Sequence, residues 1–168
     1  MFWNRRLNDS SKGGTRILEM REGVAEIFIE APPERVWECL SDVGQYDQWV
    51  TWFRARLPEH LSRLEKAGDY FDYETTILGM KFIGRMVAVE REAPVRSAFS
   101  LVSAYRGGGE YLLEPLAGGC RVRYTLWNEV PSSYLGKVID RELLADNALN
   151  NMNDHLARLK KFAEGKAG

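Results

Sequence analysis

The sequence predicts an α+β domain in which an antiparallel sheet of about six to seven strands packs against a long C-terminal helix, with two short helices after the first strand. Two observations carry this prediction. Between residues 58 and 131, apolar and polar residues alternate in stretches separated by glycine- and proline-containing turns. From residue 137 to residue 164, neither glycine nor proline interrupts the chain, so nothing there breaks a helical hydrogen-bond ladder.

The stretch from Tyr134 to Glu164 has the pattern of an amphipathic helix. Apolar residues recur at alternating steps of four and three residues, namely Ala145, Leu149, Met152, Leu156, Leu159 and Ala163. Such residues form one stripe along a helix. Gly165 suits the helix end, because glycine readily adopts the left-handed conformation that terminates many helices. We expect the stripe to face the sheet.

The N-terminal part is predicted to contain a flexible leader, a strand and a helix pair. Residues 1–15 are polar and contain glycine and serine, which is typical of a mobile terminus. We expect residues 16–165 to form one domain. An alternating pattern up to about Glu30 indicates the first strand. Pro32 and Pro33 suit the start of a helix, and we expect two short helices over residues 33–50.

The predicted strands after Pro58 place one set of apolar side chains on a common inward face. That set comprises Phe71, Tyr73, Ile77, Phe99, Leu101, Tyr111, Leu113, Val122, Tyr124 and Leu126. In the strand from Phe82 to Arg91 two alternating apolar sets compete. Its inward face therefore stays open, and with it the question of whether Arg85 is a buried cation.

Charge and hydropathy exclude two classes of partner. The net charge is −1 and 28% of the residues are charged, whereas nucleic-acid-binding domains usually carry a basic excess or a basic face. No apolar run approaches the roughly 20 residues of a membrane span, and the N-terminus lacks the order of a signal peptide. We therefore expect a cytoplasmic protein that binds no nucleic acid and has no stable membrane insertion.

The chemistry-bearing residues predict neither a metal site nor a cofactor. The two histidines, His60 and His155, are far apart in sequence and no metal-ligand motif is present. Cys39 and Cys120 form no CxxC pair, and we expect two reduced thiols. The glycine-rich segment at residues 107–109 precedes a predicted strand, which indicates a hairpin turn rather than a phosphate loop.

Several motifs resemble the START-like (SRPBCC) superfamily, which includes Bet v 1-type allergens, lipid-transfer domains and polyketide cyclases/dehydrases. The similar segments are residues 27–37 (IFIEAPPERVW), 40–49 (LSDVGQYDQW), 110–115 (EYLLEP), 118–124 (GGCRVRY) and 156–164 (LARLKKFAE). The resemblance covers about residues 24–164. It implies a helix-grip fold, a curved antiparallel sheet gripping the last helix around a largely apolar cavity. Cys120 stands where the family usually has threonine, which affects packing rather than chemistry.

The candidate ligand-binding residues combine the inward face of the sheet with one edge of the long helix. They are Phe71, Tyr73, Phe99, Leu101, Tyr111, Leu113, Tyr124, Leu126, Leu144, Ala148, Asn151, Met152 and His155. Asn151 and His155 lie one turn apart, so both could orient a polar group of a ligand; the alternative is that both lie at the solvent boundary. Arg141 is either a surface side chain or a guard of the pocket mouth.

These patterns favour a domain that binds an apolar or aromatic small molecule, lipid-like or polyketide-like, between the sheet and the C-terminal helix without catalysis. One alternative is a polyketide aromatase/cyclase or related lyase that uses one acid or base, such as His155, a tyrosine or Arg85. A second alternative is a protein-interaction module with a vestigial pocket. The pattern predicts neither the identity of the ligand nor an oligomeric state, and the fold alone does not decide among these functions.

Overall fold

The long helix and the sheet face each other as the sequence predicts. The computed structural model describes residues 3–9, 16–77, 80–103, 106–131 and 141–165. Its strands are β1 (Trp3–Asp9), β2 (Arg16–Ile29), β3 (Arg54–Arg56), β4 (Tyr70–Ile77), β5 (Met80–Glu92), β6 (Arg96–Val102), β7 (Arg106–Leu116) and β8 (Gly119–Pro131). Its helices are α1 (Pro33–Ser41), a 3₁₀ helix (Val43–Gln48) and α2 (Arg141–Ala163). The α+β helix-grip prediction is confirmed.

The described strands form a single antiparallel sheet in the order β1-β2-β8-β7-β6-β5-β4-β3. This sheet has eight strands, more than predicted, because β1 pairs with the start of β2. β1 lies within the predicted leader. The flexibility of residues 1–15 stays a prediction.

The strand from Phe82 to Arg91 has no clear inward face in the sequence because its outer face also carries apolar side chains, and a β-bulge then changes the alternation near its end. Met86 and Ala88 are buried, whereas Ile83 and Val89 are exposed, so the even-numbered residues point inward at first. The pairing with β6 shifts between Ala88 and Glu90. One extra residue reverses the alternation, and after the bulge Arg91 points inward.

The predicted helix pair over residues 33–50 is confirmed as α1 followed by the 3₁₀ helix. Pro33 occupies the first turn of α1, where a missing N–H costs nothing. The 3₁₀ helix buries Val43 and Tyr46. Helix α1 contacts β7, and the 3₁₀ helix contacts β3.

Helix α2 packs on β2 and α1 with the predicted apolar stripe. Met152, Leu156, Leu159 and Ala163 are buried, and Gly165 with φ of +67° follows the helix end. Each large buried side chain of this kind stabilises the fold by about 1.5–3 kcal/mol. The predicted start of the helix at residues 134–140 and the side chains of Ala145 and Leu149 lie outside what the structure describes.

Candidate functional site

The candidate site lies between the inner face of the sheet, α2 and the segment after the 3₁₀ helix. It contains a cavity of about 20 Å³, which is room for roughly one water molecule. The lining residues are Tyr46, Trp49, Val50, Trp52, Phe53, Leu64, Met86, Ala88, Ser97, Ala98, Phe99, Tyr111 and His155. Among the described residues this cavity is smaller than the ligand-sized cavity that we expect from the sequence, because aromatic side chains occupy the space.

Residues 43–53, called the lid below, cover this cavity. Four lid aromatics, Tyr46, Trp49, Trp52 and Phe53, line it. Their rings meet edge to face, with centroids 5.2 Å apart for Tyr46 and Trp49 and 4.4 Å apart for Trp52 and Phe53, an arrangement that aromatic quadrupoles favour. The Tyr46 hydroxyl donates a hydrogen bond to the carbonyl of Leu40 at 2.6 Å. Aromatic packing therefore holds the lid together with scattered hydrogen bonds, such as those from the backbone N–H groups of Trp49 and Val50 to the carbonyl of Tyr46.

The opposite wall, called the floor below, consists of β7, β8 and residues 151–163 of α2. Tyr111 and Tyr124 are direct partners in the register of β7 and β8, so their side chains project side by side, and their rings stack with centroids 4.5 Å apart. His155, only 2% exposed, lies 2.7 Å from the Tyr111 hydroxyl through Nε2. The floor thus brings one buried histidine onto a pair of stacked tyrosines.

Burial keeps both groups of this pair uncharged at neutral pH. It lowers the pKa of His155 from 6.5 to about 4, and the nearby carboxylate of Asp154 opposes this effect only weakly. Burial likewise raises the pKa of Tyr111 well above its ordinary value, and the neighbouring Tyr124 hydroxyl adds to the increase. His155 is therefore a neutral imidazole, with one nitrogen that donates and one that accepts.

Three buried polar atoms around His155 have no hydrogen-bond partner of normal geometry among the described residues. They are His155 Nδ1, Trp49 Nε1 and Tyr124 Oη. The Trp49 and Tyr124 rings lie 5.0 Å and 5.3 Å from the imidazole, centroid to centroid. Buried polar groups are usually paired, and an unpaired one costs about 1–3 kcal/mol. Three such atoms in one cluster indicate a place where a ligand group or a water completes the hydrogen bonds.

A comparison with known families matches residues 20–164 to the family described as polyketide cyclase / dehydrase and lipid transport. The chain belongs to this family. The match covers most of the sequence and confirms the START-like (SRPBCC) relationship that the motifs indicate. The family supports a role in hydrophobic ligand binding or cyclisation. A comparison with curated protein sequences finds no match.

Solved structures share the fold of this polyketide cyclase/dehydrase and lipid transport domain at low sequence identity. TTHA0849 from Thermus thermophilus is 22% identical with a TM-score of 0.64, covering 88% of this chain and 99% of that one. Ara h 8.0201 is 8% identical with a TM-score of 0.61, covering 86% and 97%. The di-domain ARO/CYC StfQ of the steffimycin biosynthetic pathway is 17% identical with a TM-score of 0.68, covering 89% of this chain and 52% of StfQ. At these identities the likeness shows the fold alone.

The structure buries most of the predicted site residues. Buried are Phe71, Tyr73, Phe99, Leu101, Tyr111, Leu113, Tyr124, Met152 and His155, and Leu126 is half-buried. Of these, Phe99, Tyr111 and His155 line the cavity. The side chains of Leu144, Ala148 and Arg141 lie outside the described part of the chain. Contact of any of these residues with a ligand stays a prediction.

The structure corrects one predicted placement and answers one question that the sequence leaves open. Asn151 is exposed while His155 is buried, because Asn151 lies about 40° further round the helix from the apolar stripe. The two therefore do not form one polar end of a pocket. Arg85 is also exposed, and its guanidinium pairs with Asp72 at 2.7 Å and stacks on the Tyr70 ring, so it is neither a buried cation nor a cavity acid.

Sequence reasoning missed Arg91, which joins the sheet to the elements on either side of the lid. Its guanidinium donates to Ser97 Oγ at 2.7 Å, to the carbonyl of Leu64 at 2.8 Å and to Ser41 Oγ at 2.5 Å. It also stacks on the Trp37 ring at 4.1 Å. Strand alternation alone could not find this role, because the bulge turns Arg91 inward.

The described part of the chain offers neither a metal-ligand cluster nor a membrane-spanning helix. Among those residues, no group of three or more His, Cys, Asp or Glu side chains could hold a metal ion. Cys39 and Cys120 are buried free thiols. No helix in the described ranges is both long enough and apolar enough to span a membrane.

Proposed function

We propose that this domain binds an apolar or aromatic small molecule between the floor and the lid without transforming it. The observation that supports this most strongly is a continuous cluster of buried aromatic rings around one buried polar pair, His155 and Tyr111. A largely apolar wall with a few placed polar groups is the usual composition of a small-molecule site. The family provides independent support for a hydrophobic ligand.

Ligand binding on this proposal requires the lid to move. Small-molecule sites usually enclose about 300–1,000 Å³, whereas the cavity between lid and floor has about 20 Å³. The side chains of residues 50–53 are the ones that can leave, because this part of the lid lies outside regular helix and strand, while the floor is fixed by the β7–β8 ladder. Trp52 and Phe53 would then be replaced by rings or chains of the ligand, whereas Trp49, whose backbone N–H donates to the carbonyl of Tyr46 at the end of the 3₁₀ helix, stays beside His155.

The electrostatics of the buried pair support binding rather than catalysis. A general base works best when its pKa lies near the working pH. His155, with a pKa lowered to about 4, is a weak base at neutral pH, and Tyr111, with a raised pKa, is a weak acid. As a neutral pair they suit hydrogen bonding to a ligand better than proton transfer.

A cyclase or related lyase is the second candidate. The observation that favours it is the 2.7 Å contact between Tyr111 and His155 in a water-excluded site, because such a pair can move a proton once a substrate changes its surroundings. On that hypothesis His155→Leu abolishes turnover of a polyketide-like substrate. On the binding proposal the same variant changes ligand preference only.

Binding is tested with an environment-sensitive apolar dye, followed by fluorescence, and with native mass spectrometry of the freshly purified protein for co-purified ligand. We expect saturable binding at about one site. Met152, buried on α2, and Asn153, exposed beside it, form a matched pair of positions. Met152→Trp should weaken binding by filling volume, whereas Asn153→Trp should not.

Absence of saturable dye binding together with absence of any co-purified molecule would contradict the proposal. That result would instead favour the interaction module, for which the small cavity and the exposed apolar side chains Ile83 and Val102 would then be the relevant features. Thermal unfolding of both tryptophan variants shows that each is folded under the conditions of the titration.

A further inference from the structure

We infer that the polar end of this site is a hydrogen-bond donor site, which takes the carbonyl oxygen of an aromatic ketone on the Nδ1–H of His155 and the Nε1–H of Trp49. The inference deepens the proposed function and rests on it. The inference depends on which buried polar atoms already have a hydrogen-bond partner in the structure and which have none. Both side chains line the cavity, and each is 2% exposed.

The contact between Tyr111 and His155 determines where the imidazole proton lies. If the Tyr111 hydroxyl donates to Nε2, its own proton is used and Nδ1 carries the remaining proton of the neutral ring. If Nε2–H donated instead, the Tyr111 hydroxyl would donate to the neighbouring Tyr124 hydroxyl, and the Tyr124 proton and the Nδ1 lone pair would both be left unpaired. The first arrangement leaves fewer buried groups unpaired, and each unpaired group is costly. His155 is therefore protonated at Nδ1 and presents a donor.

Trp49 adds a second donor of the same kind. An indole Nε1–H can donate and cannot accept, and in the described structure Trp49 Nε1 has no partner. The Trp49 and His155 rings lie 5.0 Å apart, centroid to centroid. Two unpartnered donors therefore lie on neighbouring rings beside the same cavity.

The cavity itself fits a group that accepts. Its volume of about 20 Å³ holds one oxygen-sized group, and a carbonyl oxygen offers two lone pairs, one for each donor. An N–H group at this position would meet the same two donors and leave all three hydrogens unpaired. A carboxylate would bury a charge, and none of the residues lining the cavity is a cation that could compensate it. A neutral acceptor is the group that completes the cluster.

Three ligands with one ring skeleton test this inference: fluorene without a polar group, fluorenone with an acceptor, and carbazole with a donor. We expect fluorenone to bind about tenfold more tightly than fluorene, the gain of a well-placed hydrogen bond, and carbazole to bind no more tightly than fluorene. In Trp49→Phe, which keeps an aromatic ring, the preference for fluorenone over fluorene should shrink by several-fold. The preference in Asn153→Phe should equal that of the parent chain.

The outcomes separate the two proposals. If fluorene itself does not bind, the proposed function fails. If fluorene binds and fluorenone binds no better, or carbazole binds best, the donor site is wrong and the proposed function stands. A measurement on the ligand-free protein needs neither variant nor ligand: the ¹⁵N chemical shifts of the His155 imidazole should show the proton on Nδ1. A proton on Nε2 would overturn the inference.

Discussion

The floor and the lid enclose the same cavity but are stabilised in different ways. The floor is built from a continuous antiparallel ladder between β7 and β8 and from α2, whose Leu159 is fully buried. The lid consists of a short 3₁₀ helix and an irregular segment, attached at points such as the hydrogen bond from Thr75 Oγ1 to the carbonyl of Trp52. A regular hydrogen-bond ladder fixes the floor, whereas aromatic packing and scattered hydrogen bonds hold the lid.

This difference assigns separate tasks to the two walls. A polar pair such as His155 and Tyr111 keeps its geometry only on rigid elements, and both residues lie on the floor. The segments that open in proteins are drawn from those with fewer backbone hydrogen bonds and lower local stability, and the lid is of this kind. The buried polar pair that recognises a ligand therefore lies on the floor, Trp49 adds one donor from the lid, and the rest of the lid controls access.

The largest effect is expected from a change in the floor. Leu159→Ala removes a fully buried side chain and leaves a cavity, which should lower the free energy of unfolding by about 2–5 kcal/mol. The measurement is urea unfolding followed by circular dichroism. Lys161→Ala, at an exposed position two residues further on the same helix, is the control, with an expected change below ~0.5 kcal/mol. Equal midpoints for both variants would mean that α2 does not anchor the floor.

Acid should destabilise the floor through His155. Its pKa is about 4 in the folded chain against 6.5 when exposed, so the unfolded state binds the proton more readily. The free energy of unfolding that depends on a neutral buried imidazole is therefore fully present above about pH 6.5. As the pH falls towards 4, the free energy of unfolding decreases by up to about 3 kcal/mol. His155→Phe should remove this part of the pH dependence of the unfolding free energy. If the unfolding free energies of the parent chain and His155→Phe changed equally between pH 4 and 6.5, His155 would not be a buried neutral histidine.

Much of the fold and part of the floor follow from sequence periodicity. Period-2 alternation places Tyr111 and Tyr124 on the inner face, and the stripe of α2 correctly predicts buried Met152, Leu156 and Leu159. These assignments succeed because regular elements fix side-chain direction. His155 lies on the edge of that stripe, where a histidine can face either way, and only the structure shows it buried.

The rest depends on packing and irregular backbone, which periodicity does not encode. The bulge between Ala88 and Glu90 reverses the alternation of inward and outward side chains and turns Arg91 inward. The residue types at this position do not indicate a bulge. The volume of the cavity depends on how Trp49, Trp52 and Phe53 fill it. These lid residues lie outside regular elements, so their side-chain directions could not be predicted.

A moderate effect, confined to the lid side, is expected from Arg91→Lys. Lysine lacks the planar fork that reaches Ser97, Leu64 and Ser41, and the loss of these bonds should cost about 1–3 kcal/mol. Amide hydrogen exchange should accelerate in residues 43–53 more than in β7 and β8. Arg85→Lys, in the exposed ion pair on the same strand, is the matched control and should change stability by at most about 1 kcal/mol. Similar losses in both variants would show that Arg91 does not fasten the lid.

The smallest effect is expected from Asn151→Leu. Because Asn151 is exposed, the substitution should change stability by less than ~0.5 kcal/mol and leave dye affinity within error. His155→Leu, one turn away, should change ligand preference in the same titration. If Asn151→Leu changed the dye affinity as much as His155→Leu does, Asn151 would belong to the binding site.

The central claim, that a ligand displaces part of the lid while the floor stays in place, is tested most directly by hydrogen exchange of the full chain with and without saturating fluorene. Without fluorene, we expect faster exchange of amides in residues 43–53 than in β7 and β8. With fluorene, exchange should change in residues 43–53, while that of β7 and β8 should stay the same or slow slightly. Accelerated exchange in β7 and β8, with an unchanged lid, would contradict the account.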